Sequence, residues 1–125
     1  MSGVDYLIDT NILVYILQGN PLVRYFAQEE ILVISCISEM ETLGKFQISE
    51  VEKEIVTRLL RHCNIIDINN PIKQLAIKIR QNARLKLPDA IVAATAIHHK
   101  LTLVTADKDF KNIPDLDLLL IKMEK

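Results

Sequence analysis

The chain has 125 residues, half of them hydrophobic and a quarter charged, with a mean hydropathy of +0.20; a chain this long buries roughly two-thirds of its unfolded surface and is expected to form one domain over residues 1–125. Fifteen basic against sixteen acidic residues leave a net charge of −1, which argues against a protein that coats nucleic acid by bulk electrostatics. No apolar run approaches the ~20 residues that span a bilayer, no basic segment leads into an apolar one at the N-terminus, and Cys36 and Cys63 have no metal-ligand spacing, so a cytoplasmic protein with two reduced core thiols is expected.

In chain order, Val4 to Ile8 reads as a first strand, and Asp9 or Thr10 can cap a helix running to about Leu17. Asn20-Pro21 signals a second helix, ending near Glu30, because Asn caps well and Pro suits the first helical position. Ile31 to Ser35, "ILVIS", is a continuous apolar run short enough for a strand buried on both faces. Ser38 with Glu41 and Ser49 with Glu52 fit capping boxes, predicting helix starts at both places. Gly44 marks a bend or stop in the first, and the second runs to about His62 with Val51, Ile55 and Leu59 along one stripe.

Ile65 to Ile68 reads as a third strand, and Asn70-Pro71 opens a helix carrying Ile72, Leu75, Ala76, Ile79 and Ala83 at helical spacing. Pro88 begins the helix "PDAIVAATAIHHK", apolar enough to be largely buried. "LTLVT" at Leu101 to Thr105 is a fourth strand and Leu116 to Ile121 a fifth, at an edge. Strands separated by helices need right-handed crossovers, which predicts a central parallel sheet of four to five strands between helical layers.

In such sheets ligands bind beyond the carboxyl ends of the strands, and four acids gather there. Asp9 ends the first strand, Glu41 follows the second, Asp89 opens the buried helix, and Asp107 follows the fourth strand in "LVTADKDF". Each has an ordinary explanation alone: a cap, half of a capping box, a charge at a helix N-terminus, a turn residue. Together they predict one acidic cluster, and Asp9, set between apolar segments, is the hardest to explain otherwise, because a buried carboxylate is costly unless paired. With those four set aside, 15 basic residues face 12 acidic ones, enough for modest attraction to phosphates.

Oxygen ligands without Cys or His select hard cations, Mg²⁺ or Mn²⁺, which favour carboxylates together with phosphate oxygens. In a two-metal arrangement, ions ~4 Å apart activate a water and stabilise the leaving oxygen at a phosphodiester. Asn11, two residues after Asp9, and Thr105, two before Asp107, could orient a carboxylate or a water from behind; their ordinary readings are a cap and strand propensity.

The segments "LIDTNIL", "ISCISEMETL", "LKLPDAIVAATAI" and "LVTADKDF", in that order and spanning nearly the whole chain, resemble those of PIN-domain proteins of the kind found as VapC-type toxins. The resemblance implies an α/β/α sandwich around a parallel sheet and Mg²⁺- or Mn²⁺-dependent ribonuclease activity. It matches Asp9, Glu41, Asp89 and Asp107 to the family's acidic quartet and Asp109 to a secondary acid, and it implies a homodimer and a cognate antitoxin. Thr42 stands where the family often has an apolar residue after its glutamate.

Lys45, Arg80, Arg84, Lys86, Lys108 and Lys111 are candidates for phosphate contacts, with a solvated face as the ordinary alternative. Aromatic residues are sparse, without Trp, so no stacking platform for bases is visible. His98 and His99 sit at a helix C-terminus, where positive charge suits the dipole. A phosphoacceptor receiver domain fits less well, since it needs paired acids after the first strand and an Asp ending the third, whereas Asp67 is expected inside that strand. A haloacid-dehalogenase-like phosphatase needs a second Asp where Asn11 stands. A PIN-fold nuclease of RNA processing or decay, and a PIN fold kept for binding without turnover, are the alternatives within the fold.

Overall fold

Alternation along four strands decides the architecture, which is seen in a computed structural model describing residues 5–27 and 31–123. The strands are β1 (Tyr6–Ile8), β2 (Leu32–Ser35), β3 (Cys63–Ile66), β4 (Thr102–Thr105) and β5 (Leu118–Leu120). The helices are α1 (Thr10–Leu17), α2 (Arg24–Ala27), α3 (Cys36–Leu43), α4 (Glu50–Leu60), α5 (Asn70–Asn82) and α6 (Leu87–His99). Leu7, Val33, Ile66 and Leu103 belong to one apolar cluster, with Ile72, Ala76 and Ile79 of α5 and the alanines of α6. Their chain neighbours Ile8, Ile34, Ile65 and Val104 belong to another, with Ile12 and Leu13 of α1, Phe26 of α2 and Val56 and Leu60 of α4. A strand alternates its side chains between two faces, so a strand apolar at every position must be covered on both. Three layers, helix, sheet and helix, follow. Each fully buried Leu or Ile contributes about 1.5–3 kcal/mol.

The described strand pairs are all parallel: β1 with β4, β4 with β5, and β2 with β3. Among the described residues β2 lies beside β1 without a hydrogen-bonded ladder between them, which gives the order β3-β2-β1-β4-β5 in two hydrogen-bonded pieces. The chain moves outward from β1 to β3 and then crosses to β4 on the other side of β1. The gap beyond the ends of β1 and β4 is therefore the topological switch point, where such sheets open a crevice. No described helix is long and apolar enough to cross a membrane.

Local signals set most boundaries. Asp9, Ser35, Ser49 and Asn69 each cap a helix through the side chain, and Asn20 caps the 3₁₀ turn Pro21–Val23 that leads into α2. Gly44 ends α3, and a Cβ there would run into the carbonyl of Met40. β5 lies at the edge of its sheet, as expected.

Several expectations need correction. α3 begins at Cys36 and not at Ser38, because Ser35, at the very end of β2, already caps it by accepting from Ile37 N–H at 3.1 Å. Ser38 is consequently inside the helix and fully buried, and Glu41 falls in the second turn. The third strand is Cys63–Ile66, in register with Leu32–Ser35, so Asp67 and Ile68 lie beyond it, both exposed. On α4 the buried stripe is Val56 and Leu60, whereas Val51 and Ile55 are exposed. The helix after Asn20 is shorter and starts as a 3₁₀ turn, and its expected end at Glu30, like Val4 of the first strand, lies outside the described residues.

Candidate active site

At the switch point the chain leaves β1 through Asp9, Thr10 and Asn11, and leaves β4 through Ala106 and Asp107. Asp9 is only 6% exposed. Its backbone N–H donates to Val104 O at 3.1 Å, extending the β1–β4 ladder, and its side chain caps α1, with Oδ1 accepting from Ile12 N–H at 2.9 Å. Oδ2 accepts a hydrogen bond from the Thr105 hydroxyl. Thr105, fully buried, in turn accepts from Asp107 N–H at 3.0 Å, and Asp107 Oδ1 accepts from Asp109 N–H at 2.8 Å. One threonine thus ties the first acid to the loop that carries the last. The capping explanation of Asp9 is correct and incomplete, because only one of its oxygens serves the helix.

Glu41 reaches the same place from α3, its Oε1 accepting from the Thr10 hydroxyl at 2.6 Å. Asp89 arrives on the first turn of α6, where Pro88 occupies an early helical position and leaves no amide to satisfy. Asp9, Thr10, Asn11, Glu41, Asp89 and Asp107, with Val92 and Phe110 as apolar floor, line a cavity of about 140 Å³. All four predicted acids are there. Asn11 also lines it and is exposed, at the second position of α1, so it does not cap that helix.

The electrostatics are those of a site short of positive charge. Burial, opposed by the hydrogen bonds from Thr105 and Ile12 and reinforced by the charges of Asp107 and Asp89, raises the Asp9 pKa from 3.8 to about 6. Burial first, then Asp107 and Glu41, push the Asp89 carboxyl up as well, while Lys86 draws it down and Asp109 pushes it up. Asp109 is therefore felt at the site without lining the cavity. The described ion pairs, Lys45 with Glu52 and Arg58 with Glu54, involve none of the four acids. Among the described residues, no three metal-ligating groups close into one compact set. The donor chemistry nonetheless fits a hard dication: every candidate ligand is a carboxylate oxygen, and a cation would relieve the repulsion that raises Asp9 and Asp89.

The basic candidates do not line this cavity. Lys45 is paired with Glu52 at 2.7 Å and borders a neighbouring groove of about 320 Å³ between α1 and α4, which shares Thr10 and Glu41 with the acidic cavity. Arg80 Nε donates to Leu85 O at 3.2 Å, holding the turn before α6. Arg84, Lys86, Lys108 and Lys111 are exposed. Asp67 does not line the cavity either; its place beyond β3 removes one argument against a receiver domain, and the single acid after β1 remains the other. Sequence reasoning missed Thr10 and Ser38. The spacing of Ser38 and Glu41, three apart, was a signal open to two meanings, a capping box or a shared helix face, and the structure takes the second.

The family model for the PIN domain matches residues 6–116. A comparison with curated proteins finds no match. Among solved structures, the chain is similar to a toxin–antitoxin complex from Klebsiella pneumoniae, at 34% identity and a TM-score of 0.77, covering 92% of this chain and 96% of that one. It is similar to VapBC2 from Rickettsia felis bound to a promoter DNA fragment, at 25% identity and a TM-score of 0.77, covering 94% and 99%. DNA-bound VapBC from Salmonella typhimurium shares the fold at 20% identity, with a TM-score of 0.79 and 93% and 97% covered. A family-model match across residues 6–116, nearly the whole chain, together with the likeness to toxin–antitoxin complexes that include VapBC, makes this chain a member of the PIN-domain family.

Proposed function

We propose that the chain is a Mg²⁺- or Mn²⁺-dependent endoribonuclease that hydrolyses RNA phosphodiesters in the cytoplasm, as the toxin of a toxin–antitoxin pair. The observation that carries this reading is the meeting of Asp9, Glu41, Asp89 and Asp107, from four separate segments, around one small cavity with no cation paired to them among the described residues. Asp9, Glu41, Asp89 and Asp107 would hold the ion, which supplies Lewis-acid stabilisation of the charge that develops on a phosphodiester. Asp9 is fixed for this by two hydrogen bonds, Thr105 holds Asp107 in register with it, and the buried Val92 and Phe110 supply apolar lining. Asn11, exposed and lining the cavity, would meet substrate, and the exposed Lys86 and Lys108, close to Asp89 and Asp107 in the chain, would position phosphate.

The likeness to toxin–antitoxin complexes favours the toxin role over RNA processing or decay. It supports an antitoxin partner, the homodimer is proposed from the family resemblance alone, and the exposed Phe46, Val51 and Ile55 provide apolar surface for a protein partner to cover. The test is incubation of the purified chain with RNA and Mn²⁺, with and without chelator, beside Asp89→Asn. Chelator-sensitive cleavage lost in the variant is the expected result; metal-independent binding without cleavage would instead establish a non-catalytic module.

A further inference from the structure

We infer that the hydroxyls of Thr10 and Ser38 form a directed pair that positions the Glu41 carboxylate at the acidic cavity, an inference that rests on this cavity holding a divalent cation as proposed above. Thr10 Oγ1 lies 2.6 Å from Glu41 Oε1 and 2.9 Å from Ser38 Oγ. A carboxylate only accepts, and Thr10 has a single hydroxyl hydrogen. That hydrogen goes to Glu41, so Ser38 must donate to Thr10, and the chain of donation runs from Ser38 through Thr10 to Glu41. Hydrogen bonds in such a chain polarise one another and strengthen.

The need for such a device comes from where Glu41 sits. Its side chain is exposed and long, and it borders two cavities at once, the acidic one and the groove between α1 and α4 that also holds Lys45. Lys45, beyond the end of α3 and paired with Glu52, lines the same groove, so a released carboxylate would have a cation on the groove it borders. Ser38 is fully buried and one turn before Glu41 on α3, while Thr10 is the first residue of α1, directly after Asp9. The pair therefore ties Glu41 to the element that carries Asp9. Thr10 is a positioning residue, acting on the ion through Glu41.

The test is calorimetric titration of Mn²⁺ into the intact chain and into Thr10→Val, Thr10→Ser and Ser38→Ala, each checked for folding by circular dichroism. Thr10→Val keeps the shape and loses the hydroxyl, and it should bind Mn²⁺ about tenfold more weakly or worse, as when a group behind a metal ligand is removed. Thr10→Ser, which keeps the hydroxyl, should recover most of the affinity, and Ser38→Ala should fall between. Wild-type affinity in Thr10→Val, or equal weakness in Thr10→Val and Thr10→Ser, overturns the positioning role and leaves the proposed function standing. A wild-type chain that takes up no Mn²⁺ overturns both. If Thr10→Val does not fold, Ser38→Ala decides: weakened binding supports the pair and unchanged binding refutes it.

Discussion

Asp9→Asn should stabilise the metal-free protein at neutral and alkaline pH. Asn can still accept from Ile12 N–H and so keeps the cap of α1. What it removes is a carboxylate whose ionisation the fold resists. In the folded chain Asp9 titrates near 6 instead of 3.8, because burial, Asp107 and Asp89 outweigh the two hydrogen bonds to it. A raised folded-state pKa means that the folded protein holds the proton more tightly than the unfolded chain does. The associated stability is present below pH 3.8 and is lost as pH rises through about 6. Converted at 1.36 kcal/mol per pKa unit, the gap corresponds to about 3 kcal/mol at pH 8. For a chain of this length that is roughly 10 °C in Tm. Thermal melts in chelator at pH 4 and pH 8 read it directly: the variant should gain several degrees over wild type at pH 8 and little at pH 4. An Asp9→Asn protein less stable than wild type at pH 8, or with the same pH dependence, would refute the claim that this carboxylate is held at a cost.

Three further outcomes follow from the same geometry. Thr105→Val removes the donor to Asp9 and the acceptor for Asp107 N–H, leaving a buried carboxylate oxygen without its partner; denaturant melts should show a loss of about 2–3 kcal/mol, and cleavage should fall with it. Gly44→Ala sets a Cβ against the Met40 carbonyl at the end of α3, so it should lower stability by about 1 kcal/mol or more, and a neutral result would mean that α3 ends differently. Lys86→Ala removes the positive charge that draws the Asp89 carboxyl down, so that carboxyl should move further up and the acid limb of the cleavage–pH profile should shift to higher pH; an unmoved limb would show that Lys86 does not act on the site.

Much of this was legible in the sequence because local chemistry and tertiary position agreed. Asn20 and Ser49 announced their helices through the capping residue, and Pro71 announced the start of α5, although the cap there is Asn69 and not the expected Asn70, which is the first residue inside the helix. Uninterrupted apolar strands such as "ILVIS" announced a sheet covered on both faces, which the two clusters of Leu7 and Ile8 confirm. The four acids were readable because each follows a strand or opens a helix at one end of the sheet, and all four line the same cavity. The errors arose where one pattern had two physical meanings. Ser38 with Glu41 has the spacing of a capping box, but Ser35 stands earlier and starts the helix by accepting from Ile37 N–H, which puts Ser38 inside it, bonded to Thr10. Val51, Ile55 and Leu59 make a regular stripe, yet the helix docks through Val56 and Leu60, one position round, and leaves Val51 and Ile55 exposed. The break in hydrogen bonding between β1 and β2 among the described residues had no sequence signal, and neither did the double border of Glu41 on cavity and groove.

The central claim is that Asp9, Glu41, Asp89 and Asp107 are gathered to hold a divalent cation. Isothermal titration of Mn²⁺ into the wild-type chain at pH 8, beside the Asp9→Asn/Asp89→Asn double variant, tests it most directly. Saturable uptake by the wild type that vanishes in the folded double variant is the predicted result; no uptake, or uptake that survives both substitutions, would contradict it.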